Sequence, residues 1–301
     1  MAEAIGVRSG GTLRQVRTTL EMIKWEHSIF ALPFALTGAV LAARGVPAWR
    51  ALFWIVVCMV SARTAGMAFN RWADAELDAD NPRTKMRAIP AGVLSKSFVG
   101  WFTVVSSLVF VGAAAQLNRL TLELAPIALA VVLGYSYAKR FTRFSHLVLG
   151  LALGIAPSAA WVAVRGTVDA RILVLTGIVI CWVGGFDVLY ACRDAEHDRR
   201  VGLKSVPATI GVAGAFWVAR ALHVAMLGLS LWLIHLFGLG PVAWVGLGLV
   251  ALLLGYEHAI VSPGDLSRMD AAFFTMNGFV SVIFFVFFAA AVVMKYGWTA
   301  H

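Results

Sequence analysis

The chain has little charge. Only 14% of its 301 residues are Asp, Glu, Lys or Arg, while 60% are hydrophobic. A soluble domain carries about 25% charged residues. So little polar surface cannot cover the chain in water, which makes lipid its solvent. Cysteine is scarce too: Cys58, Cys181 and Cys192 are odd in number and show no CxxC spacing. Neither a disulfide framework nor a thiolate zinc site is indicated. Low-complexity segments are missing, as is the GxSG-like nucleophile that a serine intramembrane protease needs. No short apolar stretch with a small-residue cleavage site follows the polar residues 1–27, so no cleaved signal peptide is expected.

What the chain has is long apolar runs. A bilayer-spanning helix takes roughly 20 mostly apolar residues. Nine such runs are predicted, at about 28–44, 49–70, 97–117, 121–138, 144–164, 171–192, 213–237, 241–257 and 273–295. The fold class read from them is all-α: one polytopic membrane bundle of nine transmembrane helices spanning 1–301. With the N-terminus placed in the cytoplasm, seventeen of the 25 Lys and Arg residues fall in inner segments and six in outer ones. That is the sign of the positive-inside bias. Residues 1–27 then form a cytoplasmic N-terminal segment, and 71–96 and 193–212 form cytoplasmic loops. The net charge of +9 is read as this bias plus an anionic ligand, with no nucleic acid as partner. Glu26 and His27 sit before the first run; His27 reads as an interfacial anchor.

The acids are not spread evenly. Of sixteen Asp and Glu residues, eight fall in two short windows: Asp74, Glu76, Asp78 and Asp80, then Asp187, Asp194, Glu196 and Asp198. Both windows lie at the inner ends of predicted spans, the second and the sixth. Acids at membrane depth are costly and face a cavity or a partner. Asn70, Asp74 and Asp78 recur every four residues, which puts them in one row on a helix. Asp187, Asp194 and Asp198 share a face in the same way, with Tyr190 close to it. Arg63, inside a span, lies on the face of Asn70.

Two such rows repel each other unless a hard divalent cation sits between them. Magnesium fits, because it keeps waters and completes its shell with substrate phosphates. Basic residues follow each row: Arg83, Lys85 and Arg87, then Arg199, Arg200 and Lys204. Each stretch then reaches a proline, Pro90 and Pro207, a weak internal repeat. Acids for metal and bases for phosphate oxygens together make a diphosphate site.

These residues resemble a known family. Asn70-Arg71-Trp72-Ala73-Asp74-Ala75-Glu76-Leu77-Asp78 is similar to the NxxxDxxxD motif of the UbiA superfamily of intramembrane prenyltransferases. Asp187 to Asp198, with Tyr190 and Asp194 between, resembles its second motif, DxxYxxxDxxxD. Gly202-Leu203-Lys204-Ser205 and Tyr135-Ser136-Tyr137-Ala138-Lys139-Arg140 also look familial. Met67 to Arg71 and Asn81 to Thr84 are most similar to bacterial quinone-pathway members. These act on 4-hydroxybenzoate or, in a related branch, on a dihydroxynaphthoate.

The resemblance implies transfer of a polyprenyl group from a polyprenyl diphosphate to a ring carbon of an aromatic acid, in a bacterial inner membrane. It implies Mg2+ held by Asn70, Asp74, Asp78, Asp194 and Asp198. Arg87, Lys139, Lys204 and Arg63 are the diphosphate-binding candidates. Tyr135 is the candidate to stabilise an allylic cation. Asp187, Tyr190 and Arg140 are candidates at the reacting centre, Arg140 for an acceptor carboxylate and Asp187 for deprotonation. No obligate protein partner is evident. The Phe-rich ninth span, from Phe273 to Phe288, reads more simply as packing or lipid-facing bulk than as the wall of a lateral opening. Two other classes stay open: an ion-coupled transporter and another magnesium-dependent lipid-phosphate transferase.

Overall fold

The structure is a computed structural model and describes residues 9–23 and 28–298. Glu26, His27 and the rest of 1–8 and 24–27 of the expected N-terminal segment lie outside the described residues. Helix α1 (Ser9–Ile23) precedes α2 (Ser28–Ala43) and α3 (Trp49–Ala73), and the short α4 (Ala75–Asp80) follows α3 across a one-residue break. Next come α5 (Lys96–Ala115) and α6 (Arg119–Gly134), which passes through a 3₁₀ turn, Tyr135–Tyr137, into α7 (Ala138–Phe141). Then α8 (Ser145–Arg165) and α9 (Ile172–Ala191) lead through a second 3₁₀ turn, Cys192–Asp194, to the short α10 (Ala195–Val201). The chain continues with α11 (Val206–Phe237), α12 (Pro241–Ile260), a π-helical turn (Ala271–Met276) and α13 (Asn277–Tyr296).

Among the described residues, eight helical segments are long and apolar enough to cross a membrane. They match the second to ninth runs read from the sequence. The first run is α2, with 16 residues. At 1.5 Å per residue that is roughly 24 Å, short of the ~30 Å hydrocarbon layer. It is nevertheless central: Phe34, Ala35 and Ala39 are fully buried, and the helix packs on α8 and α13.

Long helices adjacent in sequence are adjacent in space, from α3 on α5 through to α12 on α13, and α13 returns to α2. The most enclosed of the eight is α9, packed between α8 and α11. Its Trp182 meets Phe34 of α2 at a ring-centroid distance of 4.8 Å, and Phe34 meets Phe284 of α13 at 4.9 Å. Lipid tails are as apolar as these side chains, so close packing rather than water exclusion holds such helices together. Small residues allow it. A Cβ on Gly150 of α8 would stand 2.7 Å from the Ile180 carbonyl oxygen of α9. One on Gly38 of α2 would collide with the Pro157 backbone of α8.

The acidic windows depart from the sequence reading. Each row is predicted on one unbroken helix; both helices break. Asp74 ends α3 and opens α4 with φ −96° and ψ 6°. Asp194 closes the 3₁₀ turn and opens α10 with φ −107° and ψ 3°. Both lie in the sparsely populated bridge region, so the weak sequence repeat is also a backbone repeat. The macrodipole gives a reason. On a continuous helix the acids would crowd its negative C-terminal end. After the break, Glu76 and Asp78 lie in the first turn of α4 and Glu196 and Asp198 in that of α10, where negative charge is favoured. The expected loops 71–96 and 193–212 therefore each contain a short helix.

Helix α1 is also more than a polar tail. Its Met22 and Ile23 cluster with Ala68 of α3, and with Leu94 and Val99.

Because α2 touches backbone on α8, Gly38→Leu is expected to lower the melting temperature in detergent by several degrees. Gly228→Leu, at a glycine with open space around it, should leave it unchanged.

Candidate active site

Both acidic windows open into one cavity of about 1380 Å³. Asn70, Asp74 and Asp78 line it from the first window, and Asp187, Asp194 and Asp198 from the second. Lys139, Arg87, Tyr135 and Tyr190 share that end. Farther along the same helices the wall is apolar, with Met59 of α3, Ile172 of α9, and Phe110, Leu124 and Leu153. Met59 precedes Asp74 by fifteen residues, roughly 22 Å of helix. The cavity thus has a charged mouth and a greasy track of nearly membrane depth.

Each acid at the mouth has a partner. Asp74, 2% exposed, takes the Lys139 ammonium at 2.8 Å and an Arg140 guanidinium N–H at 3.1 Å, with the Asn70 amide donating at 3.1 Å. Asp78, 5% exposed, accepts two hydrogen bonds from Arg87 Nη1 at 2.6 and 2.8 Å. Ser205 caps α11 by accepting from the Ala208 N–H and donates to Asp198 at 2.8 Å. The two windows are tied directly. Asn81 donates to Asp194 Oδ1 at 3.2 Å, and Arg83 binds the same carboxylate in a fork, Nε to Oδ1 at 2.8 Å and Nη2 to Oδ2. Burial works against the Arg83 charge, but its bonds to Asp194 outweigh that and hold the guanidinium above its usual pKa.

Three rings meet beside this fork. Tyr190 packs on Phe273 at 4.2 Å between centroids and on Phe274 at 6.1 Å, and the Arg83 guanidinium stands 5.6 Å from the Tyr190 ring. Phe273 and Phe274 line the cavity, whereas Phe284 and Phe288 are fully buried core. The Phe-rich span is therefore packing bulk in its middle and cavity wall at its start.

Arg63 lines the cavity from inside a span, and its buried Nε has no hydrogen-bond partner among the described residues. A span-centre arginine costs at least about 2.5–3.5 kcal/mol on insertion scales, and such residues face a cavity or a partner. Arg140 and Lys204 do not line the cavity. Arg140 donates to the Ala73 carbonyl at 2.7 Å and to Asp74, satisfying an orphan carbonyl at the end of α3. Lys204 donates to the Phe141 carbonyl at 3.2 Å. Of the candidates for metal, diphosphate, allylic cation and reacting centre, the structure brings all but these two to one cavity; Glu76, Asp80, Lys85, Glu196, Arg199 and Arg200 of the acidic and basic stretches do not line it.

The UbiA prenyltransferase family matches residues 31–288. The chain belongs to this family. Its relatives include the 4-hydroxybenzoate octaprenyltransferases of Cupriavidus necator, 33% identical over 247 residues (81% of this chain and 85% of that one), and of Xanthomonas campestris pv. campestris, 33% identical over 256 residues (85% and 84%). An apo UbiA homolog from Aeropyrum pernix K1 superposes with a TM-score of 0.80 at 33% identity, covering 90% of this chain and 98% of that one. A UbiA homolog from Archaeoglobus fulgidus bound to GPP and Mg2+ has a TM-score of 0.68 at 18% identity, covering 91% and 99%, and shares the fold.

The donor set of this UbiA-family protein fits magnesium. Its cavity acids offer hard oxygen ligands, and no three His, Cys, Asp or Glu residues among the described ones cluster tightly enough to cage an ion. Oxygen donors of this kind suit an ion that keeps waters and takes substrate oxygens.

Three features of this end of the bundle were not legible in the sequence. Arg83 is visible as a base after the first row, but not as the fork that joins the windows. Asn81 carries no spacing signal. Neither does His146, which sits on α8, away from both motifs, and bonds Asp187 with Nδ1 at 2.6 Å.

Losing the cross-window link should loosen the mouth without unfolding the bundle. The double variant Asn81→Ala/Arg83→Ala is expected to be cleaved faster by protease between residues 81 and 95, with unchanged helical circular dichroism.

Proposed function

We propose that this protein transfers a polyprenyl group, with Mg2+, from a polyprenyl diphosphate to a ring carbon of an aromatic acid. The acceptor is of the 4-hydroxybenzoate or 1,4-dihydroxy-6-naphthoate type, in ubiquinone or menaquinone biosynthesis. The observation that carries this reading is the cavity: acids and bases at its mouth suit a metal-bound diphosphate, and its apolar remainder suits a prenyl chain. Relatives that are 4-hydroxybenzoate octaprenyltransferases support the acceptor class. The GPP and Mg2+ bound to the Archaeoglobus fulgidus homolog support the donor and the metal. The prenyltransferase family supports a transferase over a transporter.

Asn70, Asp74, Asp78, Asp194 and Asp198 are the residues to hold magnesium. Bound there, it would neutralise charge developing on the leaving diphosphate. The bases have their own part. Arg83, Arg87 and Lys139 already point into the mouth, where they can exchange a carboxylate for a diphosphate oxygen. As the carbon–oxygen bond to diphosphate breaks, its electron pair leaves with the diphosphate. The allylic cation left behind faces Tyr135, Tyr190 and Phe273, whose rings are worth roughly 0.5–2 kcal/mol each in cation–π attraction. The ring carbon attacks with its π pair. Asp187 takes the hydroxyl proton and returns it to that oxygen once the alkylated carbon has released its hydrogen as a proton to water. Arg63 lines the cavity and Arg140 does not, which supports Arg63 over Arg140 for the acceptor carboxylate.

In the same reading α2 is a ninth span, the N-terminus is cytoplasmic and the cavity mouth opens at the cytoplasmic face of a bacterial inner membrane.

The test is purified protein with labelled prenyl diphosphate and each acceptor in turn. Product is expected with one of them, lost on chelating magnesium, and reduced at least a hundredfold in Asp74→Ala and Asp194→Ala with expression intact. No product from either acceptor would contradict the acceptor class, and full turnover in both variants would contradict the metal site.

A further inference from the structure

His146 is 4% exposed and stands in the first turn of α8. Its Nδ1 is 2.6 Å from Asp187 Oδ2 on α9, and its Nε2 receives the backbone N–H of Val206, the first residue of α11, at 3.3 Å. An amide N–H can only donate. Nε2 therefore carries its lone pair, the ring proton is on Nδ1, and Nδ1–H donates to Asp187. The imidazole is fixed as one neutral tautomer by the backbone of a different helix.

The consequence falls on Asp187. Its Oδ2 is held by His146, while Oδ1 has no hydrogen-bond partner among the described residues. Asp187 lines the cavity; His146 does not. A carboxylate on a single bond can turn about its last torsion, and a proton acceptor works only within hydrogen-bond reach of the proton it takes. Anchoring one oxygen to a ring that is itself anchored leaves the other facing one direction.

We propose that His146 is a positioning residue for the reaction: it locks the Asp187 carboxylate so that Oδ1 meets the acceptor hydroxyl. This rests on the function proposed above, in which Asp187 takes that hydroxyl's proton and later returns it. His146 itself touches neither substrate and gains or loses no proton. Any donor that reaches Oδ2 can do its work, and its value vanishes when Asp187 is no longer a carboxylate.

The experiment is a double-mutant cycle on the full chain in detergent, with magnesium, labelled prenyl diphosphate and the acceptor that the wild type uses. His146→Leu is expected to lower kcat at least tenfold with KM for the prenyl diphosphate within twofold. His146→Gln, whose amide N–H can reach the same oxygen, should restore kcat to within about fivefold of wild type. In an Asp187→Asn background, His146→Leu should cost less than a further twofold, because residues acting through one group are not additive. An unchanged kcat in His146→Leu, or a loss that multiplies in full with that of Asp187→Asn, overturns the proposal; the latter is what a purely structural role gives. The tautomer is read without turnover, from 15N spectra of histidine-labelled wild type. Protonated Nδ1 with bare Nε2 at His146 is the expected form, and the reverse overturns the proposal even if neither acceptor reacts. Inactivity of the wild type with both acceptors, with the expected tautomer present, contradicts the proposed function and not the anchoring of Asp187.

Discussion

A carboxylate at the edge of a hydrocarbon layer must be paired, and the two acidic windows place five at the mouth of one cavity. The pairing organises that end of the bundle. Lys139 and Arg140 come from the end of the fourth expected span to meet Asp74. Arg87 folds back nine residues onto Asp78, and Arg83 crosses to Asp194 in the other window. Ser205 serves twice, as the cap of α11 and as donor to Asp198. Each cation satisfies an acid now, and each has the chemistry to serve a phosphate oxygen instead. The same contacts therefore make the buried acids tolerable, and in the proposed function an anionic ligand would take over some of them.

The helix breaks at Asp74 and Asp194 make this arrangement possible. Both turn the chain out of a long span just where the acids begin, and both move the acids to the favourable end of a short helix. Behind the mouth, the apolar track runs beside α3 and α9, and α9 is gripped by α8 and α11 through contacts as close as Gly150 on Ile180. A closely packed central helix carrying Asp187 and Tyr190 at its end gives the cavity mouth a fixed wall, while the apolar track demands only volume.

The sequence showed much of this plainly, because membrane spans and acid spacing are strong signals. Eight of the runs are long helices, and Asp74, Asp78, Asp194 and Asp198 meet as the two windows predict. What it hid depended on tertiary approach. Periodicity of four assumes a continuous helix, so the breaks at Asp74 and Asp194 were invisible to it. Arg140 has the residue type for an acceptor carboxylate, but spacing could not show that its guanidinium would bond the Ala73 carbonyl and Asp74 outside the cavity lining. Lys204 follows its acids at a suitable distance, yet the backbone carries its ammonium to Phe141. His146 belongs to no pattern, since its meaning arises only where α8 meets α9 and the start of α11.

The central claim is that both windows act on one diphosphate. Its most direct measurement is a structure of the protein with a non-hydrolysable prenyl thiodiphosphate and Mn2+ in place of Mg2+. The expected result is one diphosphate at the cavity mouth, with carboxylates of both windows reaching it through metal and its chain lying along the apolar wall toward Met59 and Ile172. A diphosphate bound at one window alone, with Arg83 still forked onto Asp194 and the other acids unmoved, would contradict the account.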